Sequence, residues 1–277
     1  ELPWTMIVDH LPHTFDIGLD LPARGVVVVG HDTAGIASAQ IAQFADALGW
    51  PLVAENPLSF PSAIGHAALF LAQEKTRASL LPQVAVVVGR PVLSRSIAAL
   101  ITSAPRVIVV DPGHTWSDPG RRADLVLSDL PQVESDHEID AAWIPQWRAH
   151  ASRTAALVAE LPAWSEPRVA AHLAALLPHP ATLFVGASRP IRDLEAFAMP
   201  RSGVQVHANR GLAGIDGSIS TAIGISLTSA DRSFALMGDL MTGHIHPELA
   251  EIAALSPVQT LLWLQERLTR LIERVLS

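Results

Sequence analysis

Three short strings carry residue types that do chemistry at the ends of strands. The first is Asn209-Arg210-Gly211-Leu212-Ala213-Gly214-Ile215-Asp216-Gly217, an Asn-Arg pair followed by three glycines at three-residue spacing. Glycine at this density permits positive φ and lets the backbone approach a ligand closely. An Arg at the mouth of such a turn can hold a carboxylate or phosphate through its planar fork, and a following helix offers free N–H groups to an anion. The same string also reads as a tight turn with a surface Arg. The second, Gly186-Ala187-Ser188-Arg189-Pro190-Ile191-Arg192, puts a hydroxyl and two cations directly after an apolar run. The third, Gly238-Asp239-Leu240, ends another apolar run in a carboxylate, a fit for a divalent cation beside a phosphate. Taken alone, that Gly-Asp step is a common structural strand end.

These strings need strands and helices to aim them, and hydrophobic periodicity supplies both. Residues 25–30, 84–88 and 106–110 are continuous Val/Ile-rich runs, which suit parallel strands covered on both faces; residues 52–54 and 125–127 add two short strands. Helical spacing over 33–48, 73–81 and 94–102 alternates with them, so residues 21–132 are expected to form one doubly wound parallel α/β domain. Residues 1–20 read as a lead-in linker. Residues 133–178 change character: Glu134, Asp136, Glu138 and Asp140 precede a helical run with Trp143 and Trp147, and the acids are expected to complement the helix start. A second parallel α/β unit over 179–277 follows, with strands at 182–186, 203–206 and 233–240 and a helix at 193–197. Two further corners carry charge. Gly30-His31-Asp32-Thr33-Ala34-Gly35 lacks the G-x-G-x-x-G spacing of a dinucleotide loop and reads as a structural turn. Arg90 and Arg95 could hold an anion, or form ion pairs with Asp111 or Asp118, the latter being favoured.

Composition bounds the answer. The 277 residues are 49% hydrophobic and 17% charged, as expected of a globular protein, and the net charge is −8. Lys75 is the only Lys, so arginine carries nearly all positive charge, and nothing suggests a nucleic-acid surface. With no Cys there is no disulfide or thiolate chemistry. No apolar run reaches membrane-spanning length, and the N-terminal residues lack signal-peptide character; a cytoplasmic protein without membrane partners is expected.

In that order, the strings G-A-S-R-P-I-R, N-R-G-L-A-G-I-D-G and A-L-M-G-D-L resemble thiamine-diphosphate enzymes. More narrowly, they are similar to the 2-succinyl-5-enolpyruvyl-6-hydroxy-3-cyclohexene-1-carboxylate synthase family of menaquinone biosynthesis. The likeness is strong over 181–240 and looser over 21–130. It implies the central domain of such a transferase plus an incomplete diphosphate-binding domain, and a homodimer or homotetramer. It implies thiamine diphosphate held with Mg²⁺ or Mn²⁺, by Gly214, Ile215, Gly238, Asp239 and Leu240. Asp239 would be the metal ligand and Ile215 the catalytic prop that keeps the cofactor bent. Ser188, Arg192, Asn209 and Arg210 would bind dicarboxylate substrates. The implied reaction is the decarboxylative joining of 2-oxoglutarate to isochorismate. An acetolactate-synthase-like enzyme is the alternative within this class, and a non-catalytic effector-binding α/β protein using Arg90 and Arg95 is the alternative outside it.

The departures from the family pattern set further expectations. The cofactor-activating Glu of the family belongs to a pyrimidine domain with no counterpart in these residues, so weak or no catalysis is expected of this chain alone. No Asn follows Asn209 to complete the metal site, and His244 and His246 have no matching third ligand. A segment between about 242 and 257 is expected to be missing relative to the family.

Overall fold

The structure, a computed structural model, describes residues 19–113, 118, 120–210, 215–238 and 241. The first unit runs β1 (Gly25–Val29), α1 (Ser38–Leu48), β2 (Leu52–Ala54), a 3-10 turn (Pro57–Ser59), α2 (Ala67–Phe70) and α3 (Glu74–Ser79). It continues through β3 (Val84–Val88), α4 (Arg95–Ser103), β4 (Arg106–Val110) and β5 (Leu125–Leu127). All five strands pair in parallel, in the order β2-β1-β3-β4-β5.

The two faces of this sheet explain its Val runs. Val27, Val29, Val86 and Val88 pack with Ile41, Phe44, Leu48 and Trp50 on one side. Val26, Val28, Val87 and Val109 pack with Ile97, Leu100, Trp143 and Trp147 on the other. With both faces dry, every strand position is under pressure to be apolar, and the alternation of a half-exposed strand is absent.

Helix α5 (Trp143–Ala159) closes the second face through the Trp pair, whose rings meet edge to face with centroids 5.9 Å apart. Trp143 Nε1 donates to Gly25 O at 2.8 Å, so its polar edge is satisfied as its body is buried. The acids ahead of α5 do not serve its dipole: its first turn has no acidic residue. Instead Asp140 accepts from Ala142 N and pairs with Arg24 Nε, which pins the linker to the start of β1.

Helix α6 (Glu166–Leu176) leads to the second unit: β6 (Ala181–Val185), α7 (Arg189–Phe197), β7 (Val204–His207), α8 (Ser218–Thr228) and β8 (Arg232–Leu236). Its strands pair in parallel in the order β7-β6-β8. Helix α7 starts four residues earlier than the periodicity placed it, because Pro190 near the helix start presets a helical φ. Among the described residues, no helix is long and apolar enough to cross a membrane.

The two units share apolar core. Leu58 and Leu93 of the first unit are buried in the cluster built by α6, α7, β6 and β7. Hydrogen bonds fix the contact: Arg201 N donates to Pro57 O at 3.0 Å, and Ser59 Oγ donates to Val204 O at 3.4 Å. His66 Nδ1 also meets Ala196 O at 2.9 Å.

Candidate functional site

In open parallel sheets, ligands collect beyond the carboxyl ends of the strands where the strand order reverses. The first sheet reverses between β1 and β3, and its own residues fill that crevice. Asp32 and Arg90 form an antiparallel bridge, with Arg90 N donating to Asp32 O at 3.1 Å. Gly89 has φ +68°, and a Cβ there would overlap the Asp32 carbonyl. The free N–H groups that could have met a phosphate are taken by a side chain instead. Glu55, which directly follows β2, accepts from His31 N at 3.1 Å and Val92 N at 2.7 Å, and from Leu93 N. The Gly30–Gly35 loop is thus a structural turn, and an internal carboxylate occupies the place of an anionic ligand.

Arg90 and Arg95 stay exposed, and neither forms an ion pair among the described residues. The favoured pairing with Asp111 or Asp118 is therefore not what holds this corner. Ser94 caps α4 by accepting from Ile97 N, and Asp118 accepts from Ala123 N.

The second sheet reverses between β6 and β8. Gly186 follows β6, and Ser188 is the N-cap of α7 at φ 71°, ψ −125°, a conformation that strains a residue with a side chain. Arg192 lies one turn into α7 and donates from Nη1 to Leu93 O at 3.1 Å, across to the first unit. At the end of β7, Asn209 Nδ2 donates to Thr221 Oγ1 at 3.2 Å, which ties the loop to α8. Arg210 is half-buried and its Nε has no hydrogen-bond partner. Ile215 packs against the apolar cluster of Phe184, Ala222, Ala235, Met237 and Met241 beneath the ends of β6 and β8. Helix α8 begins at Gly217, φ +75°, with no side-chain cap on its first N–H groups. Gly238 follows β8, and a Cβ there would meet nothing within 4 Å. Gly214, Asp239 and Leu240 lie outside the described residues, as do His244, His246 and the stretch 242–257.

Arg192 and Arg210 both lie close enough for their charge to act on the same buried acid. That acid is Glu195, which the sequence reading missed together with Glu55, His31 and His207. Burial, and next the charge of Glu55, push Glu195 up to about 8, against the pull of Arg192 and Arg210. Burial also raises Glu55, opposed by its three backbone donors. His31 and His207 are both lowered, foremost by burial, with Arg210 adding to the effect on His31. Ser188 and Asn209 lie at the same sheet edge and make no hydrogen bond to either arginine. One signal for Glu195 was available: with α7 starting at Arg189, it falls three residues after Arg192 in a helix whose other buried positions are largely apolar.

Fold and site together define an α/β protein in which two doubly wound parallel sheets turn charged strand ends toward a common junction. The chain belongs to the family described as the middle domain of thiamine pyrophosphate enzymes, whose model matches residues 13–185. Its relatives include 2-succinyl-5-enolpyruvyl-6-hydroxy-3-cyclohexene-1-carboxylate synthases. That of Thermobifida fusca is 38% identical over 71% of this chain and 37% of its own length. That of Renibacterium salmoninarum is 38% identical over 79% and 39%, and that of a Nocardioides species 39% identical over 80% and 43%. The chain thus spans about two-fifths of the length of these curated relatives.

Proposed function

We propose that this chain is part of a thiamine-diphosphate-dependent synthase that joins 2-oxoglutarate, with loss of CO₂, to isochorismate in menaquinone biosynthesis. The observation that carries the reading is that the charges of exposed Arg192 and half-buried Arg210 both act on buried Glu195, at the strand ends of a chain related to synthases of that name. Both substrates carry carboxylates, and two guanidinium groups with spare donors match them.

The second sheet suits the cofactor. The open space at Gly238, the uncapped N-terminus of α8 and the small residue Gly186 all lie around the ends of β6 and β8, where a diphosphate would be received. When bound, thiamine diphosphate supplies the electron sink for decarboxylation. In this reading Gly214, Gly238, Asp239 and Leu240 hold it, Asp239 through Mg²⁺ or Mn²⁺. Ile215 props it from the apolar cluster it already joins. The residues of this chain then do the binding and orienting: Arg192 and Arg210 fix carboxylates, Ser188 presents its hydroxyl at the mouth of α7, and Asn209 braces the Arg210 loop on α8. The same reading makes the working protein a cytoplasmic homo-oligomer, a dimer or tetramer, with cofactor sites between subunits.

Turnover tests it. With thiamine diphosphate and Mg²⁺, the protein carrying this chain is expected to consume 2-oxoglutarate and isochorismate together, followed by mass spectrometry of the product. Arg192→Ala and Arg210→Ala are each expected to lower kcat/KM by roughly 10²–10³-fold, the scale of losing a charge-assisted contact at a site. Consumption of pyruvate in place of 2-oxoglutarate would move the assignment to an acetolactate-synthase-like enzyme.

A further inference from the structure

Seven buried side-chain N or O atoms lack a hydrogen-bond partner among the described residues, and three belong to this one junction: His31 Nδ1, Glu195 Oε1 and Arg210 Nε. The charge of Arg210 reaches both of the others. A buried polar atom left unpaired costs about 1–3 kcal/mol. These three unpaired atoms, within reach of one guanidinium's charge, are the ones that a polar ligand could satisfy.

The two carboxyls of the junction are not equivalent. Both oxygens of Glu55 accept backbone N–H groups, three in all, which favour its charged form against the burial that raises it. Glu195 is 7% exposed, its Oε1 has no donor, and no ion pair joins it to Arg192 or Arg210. Two neighbouring buried carboxyls cannot both ionise cheaply, so the proton sits on the one without donors. A protonated Glu195 is a hydrogen-bond donor. A ligand carboxylate could then take one hydrogen bond from Glu195 and a charged one from Arg210, with His31 beside them.

We infer that Glu195 is a binding residue of this site that works in its protonated form, donating its O–H to a ligand carboxylate paired with Arg210. Carboxylate binding is therefore linked to a proton. This rests on the reading of Arg192 and Arg210 as carboxylate-holding residues and adds a third, neutral donor to them. The linkage falls on Glu195 alone among its neighbours. Three backbone donors favour the charged form of Glu55. His31 and His207, lowered by burial, are already neutral in the range concerned, and Asp32, whose charge acts on His31, accepts from Ala34 N. Arg189 and Asp193 on the same helix pair with each other, and Arg189 also pairs with Glu166.

Calorimetric titration of the full chain with 2-oxoglutarate, at pH 7 and pH 9 in phosphate and in Tris, tests the linkage. The two buffers differ in ionisation enthalpy, so the difference in heat counts protons. With Glu195 titrating at about 8, affinity is expected to fall roughly tenfold from pH 7 to pH 9. Binding should take up roughly 0.1 proton at pH 7 and roughly 0.9 at pH 9. Glu195→Gln, which keeps a neutral donor, is expected to bind with an affinity that does not change between the two pH values and with no uptake. The wild-type proton count stands as a test even if that variant does not fold. Binding that Arg210→Ala abolishes, but that takes up no proton and ignores pH in the wild type, overturns this inference and leaves the carboxylate reading standing. Absence of binding, or binding indifferent to both Arg192→Ala and Arg210→Ala, overturns both.

Discussion

Glu55 shows what one side chain can decide. Its carboxylate replaces an anionic ligand at the reversal point of the first sheet, and in doing so ties the loops after β1 and β3 together. Glu55→Ala leaves three backbone N–H groups in a buried place with no acceptor, at a cost of about 3 kcal/mol or more. Glu55→Gln keeps one accepting oxygen but turns an N–H toward a donor, for about 1–2 kcal/mol. Urea unfolding followed by circular dichroism should rank wild type, Gln and Ala in that order. Equal stability of all three would mean that the loops hold each other without the carboxylate. The same residue also carries negative charge to the junction, which adds to burial in pushing the neighbouring Glu195 up.

At the scale of the element, α7 is the unusual piece. It buries two acids, Asp193 and Glu195, among Pro190, Ile191, Leu194 and Ala196. Buried acids are a stability cost, which a helix serving only as a scaffold would have no reason to keep. Burial is the main cause that raises Asp193 to about 6, with Arg189, 3.6 Å away, pulling the other way. A carboxyl raised on folding makes the folded state bind its proton more tightly than the unfolded one. Stability is therefore lost as pH rises from about 4 through 6, and the cost is fully present above 6. Asp193→Asn is expected to raise Tm by about 2–4 °C at pH 8, corresponding to roughly 1 kcal/mol. Near pH 4 it should change Tm little. A variant that lowers Tm at pH 8 would show that the Arg189 pair outweighs the burial.

For the whole molecule, the central fact is that the two parallel sheets meet near their functional edges. Leu58 and Leu93 cross from the first unit into the core of the second, while Arg192 reaches back to Leu93 O. Arg192 is thus held by a loop of the other sheet. Such a shared core makes the two units unfold together, and scanning calorimetry of the wild-type chain is expected to give one transition. Leu58→Ala removes a fully buried side chain at the seam, at a cost of about 2–5 kcal/mol, and is expected to split that transition in two. A single transition merely moved to lower temperature would make Leu58 an ordinary core residue.

The alternation of Val-rich strands with helices, the parallel character of both sheets and the glycine- and arginine-bearing strand ends were all legible in the residues. They depend on local period and on backbone freedom, which neighbours along the chain determine. Arg192 and Arg210 could be picked out because their types and positions after apolar runs already suggest anion binding. Glu55 and His31 could not, and Glu195 only once the start of α7 was known, because each is a lone polar residue whose meaning comes from what faces it. Glu55 matters through N–H groups 24, 37 and 38 residues away in the chain, and Glu195 through Glu55 and Arg210. Burial and mutual charge are properties of packed neighbours, so only the tertiary structure could push Glu195 up at this junction, or close the first sheet's crevice with a carboxylate of its own.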